Sequence, residues 1–456
     1  MNAPGSVLDN TQSLCPFCLK RLAASIRLNE QGGGVWMEWV CSEHGPQKSL
    51  VCPDLQTYAT IRSISRKVKK PAACLESTAA GCPHDCGLCR AHEQHTCLAI
   101  LEITDRCDAG CPICLSDSIE DGRDLSVATV TSALRNLISK EGKPVPLQLS
   151  GGEPTLHEDL HSIVHAAHSM GFGKIEIDTN GRLLAEKQDL CFLLKEAGLS
   201  GIYLQMDGIR PDISLKIRGR DLTAIKLKAI DHCRHAGLQV VLSVTVVPGI
   251  NTDHMWEMVR FGIERNLTGV NFQPAVRSGR YPQEFLPDRS TRFTLGHFQK
   301  EMQAQSRGII RAGDMMPIPC PSPFCGAMAY LIVSEDHITP LNRILAPERL
   351  STHLADQSNW ENVLADLNGA CGCSGECRPD TGISAQLPGR DFFSIGFHGM
   401  MDAFCFDIER ARRCCVHELL PDGRLIPFCL YNVKYRPSPE NGRTFHCGRR
   451  LEAPLL

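Results

Sequence analysis

Six short apolar runs rich in β-branched residues limit the fold of this chain more than any other feature of its sequence. They cover residues 98–104, 145–150, 174–179, 201–207, 239–247 and 269–274. The segments between them repeat apolar residues with a helical period, as in 126–140 and 223–237. Alternating strands and helices predict an α/β fold with a parallel sheet, either open or closed into a partial barrel. Functional loops are then expected at the carboxyl ends of the strands.

The loop after the first run carries three closely spaced cysteines. The sequence 104-TDRCDAGCPIC-114 contains Cys107, Cys111 and Cys114 and has no other cysteine. A structural metal site is closed by four protein ligands, whereas a reactive site keeps one position open. Three thiolates on a four-iron cluster would leave one iron free to bind a substrate or cofactor. The triad therefore predicts a catalytic iron–sulfur site.

A glycine-rich turn, 149-LSGGEPTL-156, follows the second apolar run. Gly151 and Gly152 let backbone groups approach a bound molecule closely, and Glu153 offers a carboxylate to an ammonium group. Taken alone, these residues also fit an ordinary glycine turn with a proline starting a helix. Together with the triad one strand earlier, they favour a cofactor site.

The 24 cysteines lie mostly in short clusters, which suits shared coordination of a metal better than disulfides between distant segments. An N-terminal set has the spacing of a knuckle-type site for Zn or Fe: Cys15, Cys18, Cys41 and His44. Cys52 or Cys74 could replace the histidine as fourth ligand. We therefore expect a mononuclear metal module at the N-terminus.

Two further regions predict auxiliary iron–sulfur clusters. The segment 81–97 supplies Cys82, Cys86, Cys89 and Cys97, separated by Gly and Pro turns. The nearby histidines are interpreted as solvated loop residues: His84, His92 and His95. The region after residue 310 supplies Cys320, Cys325, Cys371, Cys373, Cys377, Cys414 and Cys429.

Not every cysteine is expected to bind metal. Cys414 and Cys415 are adjacent and point in different directions on most backbones, so one of them can be a ligand and the other a packed thiol. Cys191, Cys233 and Cys405 lie in segments with an amphipathic helical pattern and are interpreted as small core residues.

Charge and hydropathy exclude several classes of partner. The net charge is -3 and no long basic block occurs, so nothing indicates a nucleic-acid partner. No apolar run approaches the ~20 residues of a membrane span, and the first residues lack a signal-peptide pattern. We expect a cytoplasmic protein without an integral membrane segment.

The triad and the GGEP turn together resemble the signatures of the radical S-adenosylmethionine (SAM) superfamily. This resemblance covers residues 98–280. It implies that the open iron of a [4Fe-4S] cluster binds SAM, and that the resulting 5′-deoxyadenosyl radical abstracts hydrogen from an unactivated carbon. It also implies an electron donor such as ferredoxin or flavodoxin.

Further motifs, spread over nearly the whole chain, resemble the class D radical SAM methyltransferase group, which includes archaeal pterin methylases and tetraether lipid synthase. They are CPxC…CxxHG, GCPxDCGLCxxHxxxT, 178-DTNGRLLA-185, 203-YLQMDG-208 and RCCVHxxxPDGRLIPFC. The resemblance implies several iron–sulfur clusters, a rubredoxin-like site and, for a pterin methylase, methylenetetrahydrofolate as carbon donor. It also implies that Asp178, Thr179 and Asn180 face SAM, with Asp207 closing the next strand. As single residues, these also fit ordinary turn caps.

The expected architecture is α/β, a partial (β/α)6 radical SAM barrel with an N-terminal rubredoxin-like metal module and a Cys-rich C-terminal auxiliary-cluster region. The expected units are residues 1–70 (metal module), 71–97 (auxiliary-cluster segment), 98–310 (radical SAM core) and 311–456 (C-terminal domain).

The expected activity is formation of a C–C bond at an unactivated carbon, by methyl or methylene transfer to a pterin-like or other small substrate. Two alternatives stay open. One is coupling of lipid alkyl chains, and the other is a non-catalytic Fe–S or zinc scaffold or electron-transfer protein. Asn271 and Gln273, which end the sixth run, could line the floor of the pocket.

Overall fold

The computed structural model describes residues 3–30, 33–64, 68–74, 79–282, 292–334, 337–346 and 392–436. Its N-terminal part is a four-stranded antiparallel sheet in sequence order: β1 Val7–Leu14, β2 Arg21–Leu28, β3 Val35–Cys41 and β4 Gly45–Cys52. Helix α1, Leu55–Arg62, follows, and the Asp54 carboxylate caps it by accepting from the Thr57 N–H at 2.8 Å. The turns of this sheet carry the predicted knuckle residues.

Six parallel strands form the centre of a second sheet and confirm the predicted runs. They are β5 Leu98–Thr104, β6 Leu147–Gly151, β7 Ile175–Thr179, β8 Gly201–Gln205, β9 Gln239–Val246 and β10 Gly269–Pro274. Each pairs in parallel with the next along the chain. The carboxyl ends of all six strands therefore meet at one edge of the sheet.

Helices connect and flank these strands: α2 Val127–Glu141, α3 Leu160–Ser169, α4 Arg182–Glu186, α5 Gln188–Glu196, α6 Pro211–Arg218, α7 Thr223–His235, α8 Met255–Glu264 and, after β10, α9 Leu295–Gln305. The sequence signals for α2 are local. Its N-cap is Ser126, whose hydroxyl accepts from Thr129 N–H, and it ends at Gly142 with φ +76°. The apolar stripe of α2 packs in the main core.

Along the parallel strands, apolar and polar side chains alternate and therefore face opposite sides of the sheet. Leu147 and Leu149 of β6 are fully buried in the main core. Gln148, which lies between them, faces the opposite side of the sheet. The register pairs Gln148 with Glu176, and Asp178 with Tyr203, so polar residues form a row on that side. The sheet is apolar toward the helices and polar toward its concave face.

Strands from the region after residue 310 extend this sheet at both ends. They are β11 Met316–Pro317, β12 Gly326–Val333, β13 Ile338–Pro340, β14 Phe392–His398, β15 Val416–Leu419 and β16 Leu425–Pro427. The sheet order is β11-β12-β14-β10-β9-β8-β7-β6-β5-β15-β16. Strand β14 is parallel to β10 and β15 is parallel to β5, whereas β12 is antiparallel to β14. None of these six strands was predicted from the sequence.

The remaining described segments are short helices. They are α10 Ile408–Arg412, α11 Phe428–Leu430, a π-helix at Tyr431–Tyr435 and four 3-10 turns, Pro154–Leu156, Thr252–His254, Ala312–Asp314 and Leu341–Arg343. The helical prediction for Cys405 is wrong: this residue lies in a turn before α10, because Asp407 starts the helix as its N-cap. No helix in the described part of the chain combines the length and apolar character needed to cross a membrane.

Candidate active site

The cysteine triad lies on the loop that leaves the carboxyl end of β5. Cys107, Cys111 and Cys114 are half-buried and line one cavity of about 330 Å³. Arg280 secures the loop, because its Nε donates to the Cys111 carbonyl at 2.8 Å and its carbonyl accepts from Cys114 N–H at 2.9 Å. Burial raises the pKa of the Cys107 thiol to about 12, so metal binding must displace a proton there.

The GGEP turn is fastened directly to the end of β5, beside the triad loop. Gly152 N–H donates to the Thr104 carbonyl and Glu153 N–H donates to the Arg106 carbonyl, both at 2.7 Å. Gly151 has φ +121°, and a Cβ there would lie 2.0 Å from the Thr104 oxygen. A Cβ on Gly152 would lie equally close to the Arg106 oxygen. Both glycines are therefore required by close backbone approach.

Glu153 is buried and braces the neighbouring strand end. Its Oε1 accepts from the hydroxyls of Thr155 and Thr179, each at 2.6 Å, and its Oε2 accepts from Asn180 N–H at 2.6 Å. Burial raises the pKa of Glu153, and these hydrogen bonds oppose that rise. The carboxylate thus joins the glycine turn to the end of β7 while it lines the cavity.

Asp178 and Asn180 lie at the same carboxyl end of β7. Burial, and then the charge of Glu153, raise the pKa of Asp178 to about 7. The Asn180 amide donates to Asp108 Oδ1 at 2.9 Å, and Arg182 forms an ion pair with the same carboxylate at 3.0 Å. Since Asp108 belongs to the triad loop, these contacts link β7 to that loop.

Asp207 is buried and holds an arginine that the sequence reading had not singled out. The Arg218 guanidinium donates to both Asp207 oxygens, at 2.6 and 2.9 Å. It also donates from Nη1 to the Ile113 carbonyl of the triad loop at 3.0 Å. Burial alone would lower the pKa of Arg218, but the Asp207 carboxylate outweighs it and keeps this pKa above its ordinary value. Asp207 thereby positions a fixed cation beside Cys111 and Cys114.

Lys226 is a second buried cation that the sequence reading missed. Its ammonium donates to Gln205 Oε1 at 3.0 Å and to the Asn180 carbonyl. Burial, and then the charge of Arg218, lower its pKa to about 8. The helical spacing of Lys226 from Ala229, Ile230 and Cys233 places it on the apolar face of α7, but a charged residue is ordinarily expected to face solvent.

The cavity is the polar concave face of the sheet. The side chains along it come from alternate positions of neighbouring strands: Glu102, Gln148, Ser150, Glu176, Asp178, Tyr203, Gln205, Ser243, Thr245, Asn271 and Gln273. Asn271 and Gln273 donate to the Tyr203 hydroxyl, the latter at 2.6 Å, so they lie in the pocket as the sequence suggested. His398 of β14 and Glu418 of β15 line the same cavity, so the sheet curls until both ends face it.

The N-terminal knuckle residues converge on one point. The donor atoms of Cys15, Cys18, Cys41 and His44 all lie within 4.8 Å of one another. Cys18 Sγ is 3.9 Å from Cys41 Sγ, and His44 Nδ1 is 3.5 Å from Cys15 Sγ and from Cys41 Sγ. Tetrahedral coordination with Zn–S near 2.3 Å requires donor separations of about 3.5–3.8 Å. The four residues therefore fit one mononuclear metal, whereas Cys52 lies in the core of the N-terminal sheet.

Three more groups of thiols form in the described part of the chain. The first contains Cys82, Cys86 and Cys89: burial, and then the charges of the other two thiolates, raise the pKa of Cys86. The second contains Cys97, Cys320 and Cys415, with His95 Nε2 3.6 Å from Cys97 Sγ. The third contains Cys325, Cys414 and Cys429. Burial raises the pKa of Cys414, and the charges of Cys429 and Cys325 add to this rise.

These groups rearrange the sequence clusters. Cys97 joins C-terminal thiols rather than the 82–89 group, because its N–H donates to the Cys415 carbonyl at 2.7 Å. Cys414 and Cys415 fall into different groups, as expected for adjacent residues. Cys371, Cys373 and Cys377 lie outside the described residues.

The histidine and core-cysteine interpretations have mixed outcomes. His84 is exposed, as expected, but His92 is buried, with its Nε2 3.1 Å from His417 Nε2. The solvated interpretation is thus wrong for His92, because β15 covers it. It is also wrong for His95, which is half-buried and has a ring nitrogen within 4.8 Å of the sulfurs of Cys97 and Cys320. Cys191 and Cys233 are buried in the main core with their sulfurs 3.8 Å apart, as predicted.

Comparisons with known proteins agree with this geometry. The Radical SAM superfamily model matches residues 101–262, and the HMPTM N-terminal zinc ribbon domain model matches residues 7–53. The chain is 32% identical to the 7,8-dihydro-6-hydroxymethylpterin dimethyltransferase of Methanocaldococcus jannaschii, over 94% of each chain. It is 29% identical to a probable GTP 3′,8-cyclase of Methanothermobacter marburgensis, over 35% of this chain and 52% of that protein.

Similar solved structures match about half of the chain. Streptococcus suis SuiB bound to its precursor peptide SuiA has a TM-score of 0.41 at 16% identity, over 48% of this chain and 47% of that one. Methylornithine synthase has a TM-score of 0.38 at 15% identity, over 46% of this chain and 64% of that one.

Proposed function

The chain belongs to the radical SAM family of the Methanocaldococcus jannaschii pterin dimethyltransferase, and we propose that it transfers a methyl or methylene group to an unactivated carbon of a pterin-like substrate. Family membership makes it an enzyme that uses a [4Fe-4S] cluster and SAM, with a metal in its N-terminal ribbon. The hypothesis of a non-catalytic scaffold is therefore not retained.

The triad fits the cluster by its donor set. Cys107, Cys111 and Cys114 would hold three irons, and these three thiols open onto the cavity. When bound, the cluster and SAM supply a 5′-deoxyadenosyl radical that abstracts hydrogen from an unactivated carbon. The cavity walls would exclude water from that reactive centre.

The SAM-binding residues would lie on the glycine turn and the next two strand ends. We assign this role to Gly151, Gly152, Glu153, Asp178, Asn180 and Asp207. The first two bring backbone groups close, whereas Asp178 lines the cavity with a carboxylate suited to the SAM ammonium. Asp207 would act through Arg218, whose guanidinium it orients.

The polar concave face is the observation that carries the substrate class. If two long alkyl chains filled the cavity, the carboxylates, amides and hydroxyls on this face would lose water, and those oxygens that no neighbouring side chain satisfies, such as Glu418 Oε2, would be left without a partner, which is costly. A small heterocycle with several hydrogen-bonding groups would satisfy them. This supports a pterin-like substrate over the coupling of lipid chains.

The remaining thiol groups would hold auxiliary clusters. One group comprises Cys82, Cys86 and Cys89, a second comprises Cys97, Cys320 and Cys415, and a third comprises Cys325, Cys414 and Cys429. Methylenetetrahydrofolate would be the carbon donor, and a ferredoxin or flavodoxin would supply electrons.

Anaerobic reconstitution tests the activity. The protein loaded with iron and sulfide should convert SAM to 5′-deoxyadenosine when dithionite is added. The Cys111→Ala variant should form none, whereas Cys191→Ala, which changes a thiol in the core, should retain the reaction. With 6-hydroxymethyl-7,8-dihydropterin and methylenetetrahydrofolate, mass spectrometry should detect a pterin heavier by one or more methyl groups. Cleavage of SAM with an unchanged pterin would contradict the proposed substrate.

A further inference from the structure

Two carboxylates, the half-buried Glu102 and the buried Glu418, line the end of the cavity formed by β5 and β15. Glu102 is fully engaged. Its Oε1 accepts from Arg436 Nη2 at 2.5 Å and its Oε2 accepts from the Tyr431 hydroxyl at 3.0 Å. Arg436 in turn donates from Nε to Asn432 Oδ1 at 2.7 Å. The cation of this region is therefore held by Glu102.

Glu418 is the carboxylate left over. Only 2% of the residue is exposed, and its Oε2 has no hydrogen-bond partner among the described residues. Burial, and then the charge of Glu102, raise the pKa of Glu418 well above its ordinary value, whereas Arg436 and the Glu102 N–H oppose this rise. Further N–H donors would therefore be needed to hold the side chain ionised. Tyr431 is the other titratable group beside it, and Glu102 already holds the arginine. Buried polar atoms almost always have a partner, so an unpaired, buried oxygen in a residue that lines the cavity indicates a missing ligand.

The surroundings of Glu418 restrict the shape of such a ligand. The cavity beside Glu418 is lined by four apolar side chains, Leu98, Ile100, Val416 and Phe428. An acceptor among apolar and aromatic side chains suits a flat ring that carries N–H donors on its edge. A carboxylate pairs most strongly with two adjacent N–H donors in one plane.

We propose that Glu418 recognises the substrate by accepting hydrogen bonds from the ring N3–H and the 2-amino group of a pterin. This inference rests on the proposed function and adds the residue that selects the ring. A ring with an oxygen in place of the 2-amino group would set a carbonyl against the carboxylate and should be rejected.

The test is a change of specificity at this residue. Glu418→Gln keeps the size of the side chain but offers one acceptor and one donor. We would measure anaerobic equilibrium binding of 6-hydroxymethyl-7,8-dihydropterin and of its 2-oxo counterpart to the reconstituted enzyme with SAM. The wild-type protein should prefer the 2-amino ring. In Glu418→Gln, affinity for the 2-amino ring should fall on the order of 100-fold, and preference should shift toward the 2-oxo ring.

Two controls separate this role from loss of folding. Glu418→Gln should keep the circular-dichroism spectrum and the iron content of the reconstituted wild type, and Glu196→Gln, at an exposed position of α5, should bind both rings as the wild type does. Unchanged ring preference in Glu418→Gln, or equal wild-type affinity for both rings, would overturn the role of Glu418 alone. A wild-type protein that binds neither ring would overturn the pterin substrate itself, and this role with it.

Discussion

Backbone contacts, not side chains, set the distance between the glycine turn and the cysteine loop. The Gly152 and Glu153 N–H groups donate to carbonyls at the end of β5, immediately before Cys107. A side chain on Gly151 would occupy the space of the Thr104 oxygen, and one on Gly152 would occupy the space of the Arg106 oxygen. The proposed SAM site and the proposed cluster site are therefore coupled at the scale of single residues.

Gly151→Ala should damage both sites together. The new Cβ would lie 2.0 Å from the Thr104 oxygen at a φ of +121°, so the turn must move. We expect destabilisation of about 1–3 kcal/mol and loss of SAM binding, measured by denaturant unfolding and equilibrium binding. Gly173→Ala is the matched control, because a Cβ there meets nothing within 4 Å. Normal SAM affinity in Gly151→Ala would contradict the coupling.

SAM affinity should depend on the titration of Asp178. Its folded-state pKa of about 7 lies above the ordinary aspartate value of ~3.9, so the folded protein binds this proton more tightly than the unfolded chain. That stabilising contribution is complete below about pH 4 and is lost as pH rises through about 7. In the proposed site the ionised form would attract the SAM ammonium, so SAM affinity should rise as the pH rises through about 7.

Binding titrations between about pH 6 and pH 8 check this expectation. Asp178→Asn should bind SAM more weakly and with a flatter pH profile than the wild type. Asp212→Asn, at an exposed position of α6, should keep the wild-type profile. An equally steep profile in Asp178→Asn would assign the titration to another group.

At the scale of elements, the N-terminal sheet brings its four knuckle residues together from two turns. The donor distances fit one tetrahedral metal, so metal and sheet should depend on each other. Because β3 ends at Cys41, loss of the metal frees the turn between β3 and β4.

Cys41→Ala should lose one metal equivalent and loosen the N-terminal sheet while it retains the triad cluster. Metal analysis and hydrogen exchange of residues 7–52 measure the two effects. Cys74→Ser, outside the converging group, should retain all metal. Full metal content in Cys41→Ala would contradict the assigned ligand set.

The local sequence pattern was sufficient to predict the elements that have a strong pattern. It was not sufficient where the burial of a residue depends on segments distant in the chain. The six parallel strands were predictable because their runs are apolar and β-branched. The triad was predictable because its spacing is rare. Strand β15 was not, since it has four residues and two of them, His417 and Glu418, are polar yet buried. Arg218 and Lys226 were missed for the same reason: helix charges become buried only through tertiary packing.

For the molecule as a whole, the main consequence of the topology is that β5 is an interior strand. In a partial barrel of six strands it would form an edge, but β15 pairs with it through Leu98, Ala99 and Ile100. Edge strands expose unpaired backbone groups, and this pairing removes that exposure.

Hydrogen exchange should therefore protect β5 as strongly as β7, which has a neighbour on each side. Strand β16, at the end of the described sheet, should exchange faster. Mass spectrometry of peptic fragments resolves these segments in the reconstituted enzyme. Exchange of β5 at the rate of β16 would contradict the pairing with β15.

The pairing of β5 with β15 also fixes an order of events during protein synthesis. Strand β5, which leads into the cysteine loop, leaves the ribosome early. Strand β15, which pairs with β5 and lines the same cavity, emerges only after β14. A nascent chain therefore holds its reactive thiols in an unfinished enclosure, open to water and oxygen. We therefore expect stable occupancy by cluster and SAM to follow the docking of β15, so that maturation of this enzyme would be completed after translation.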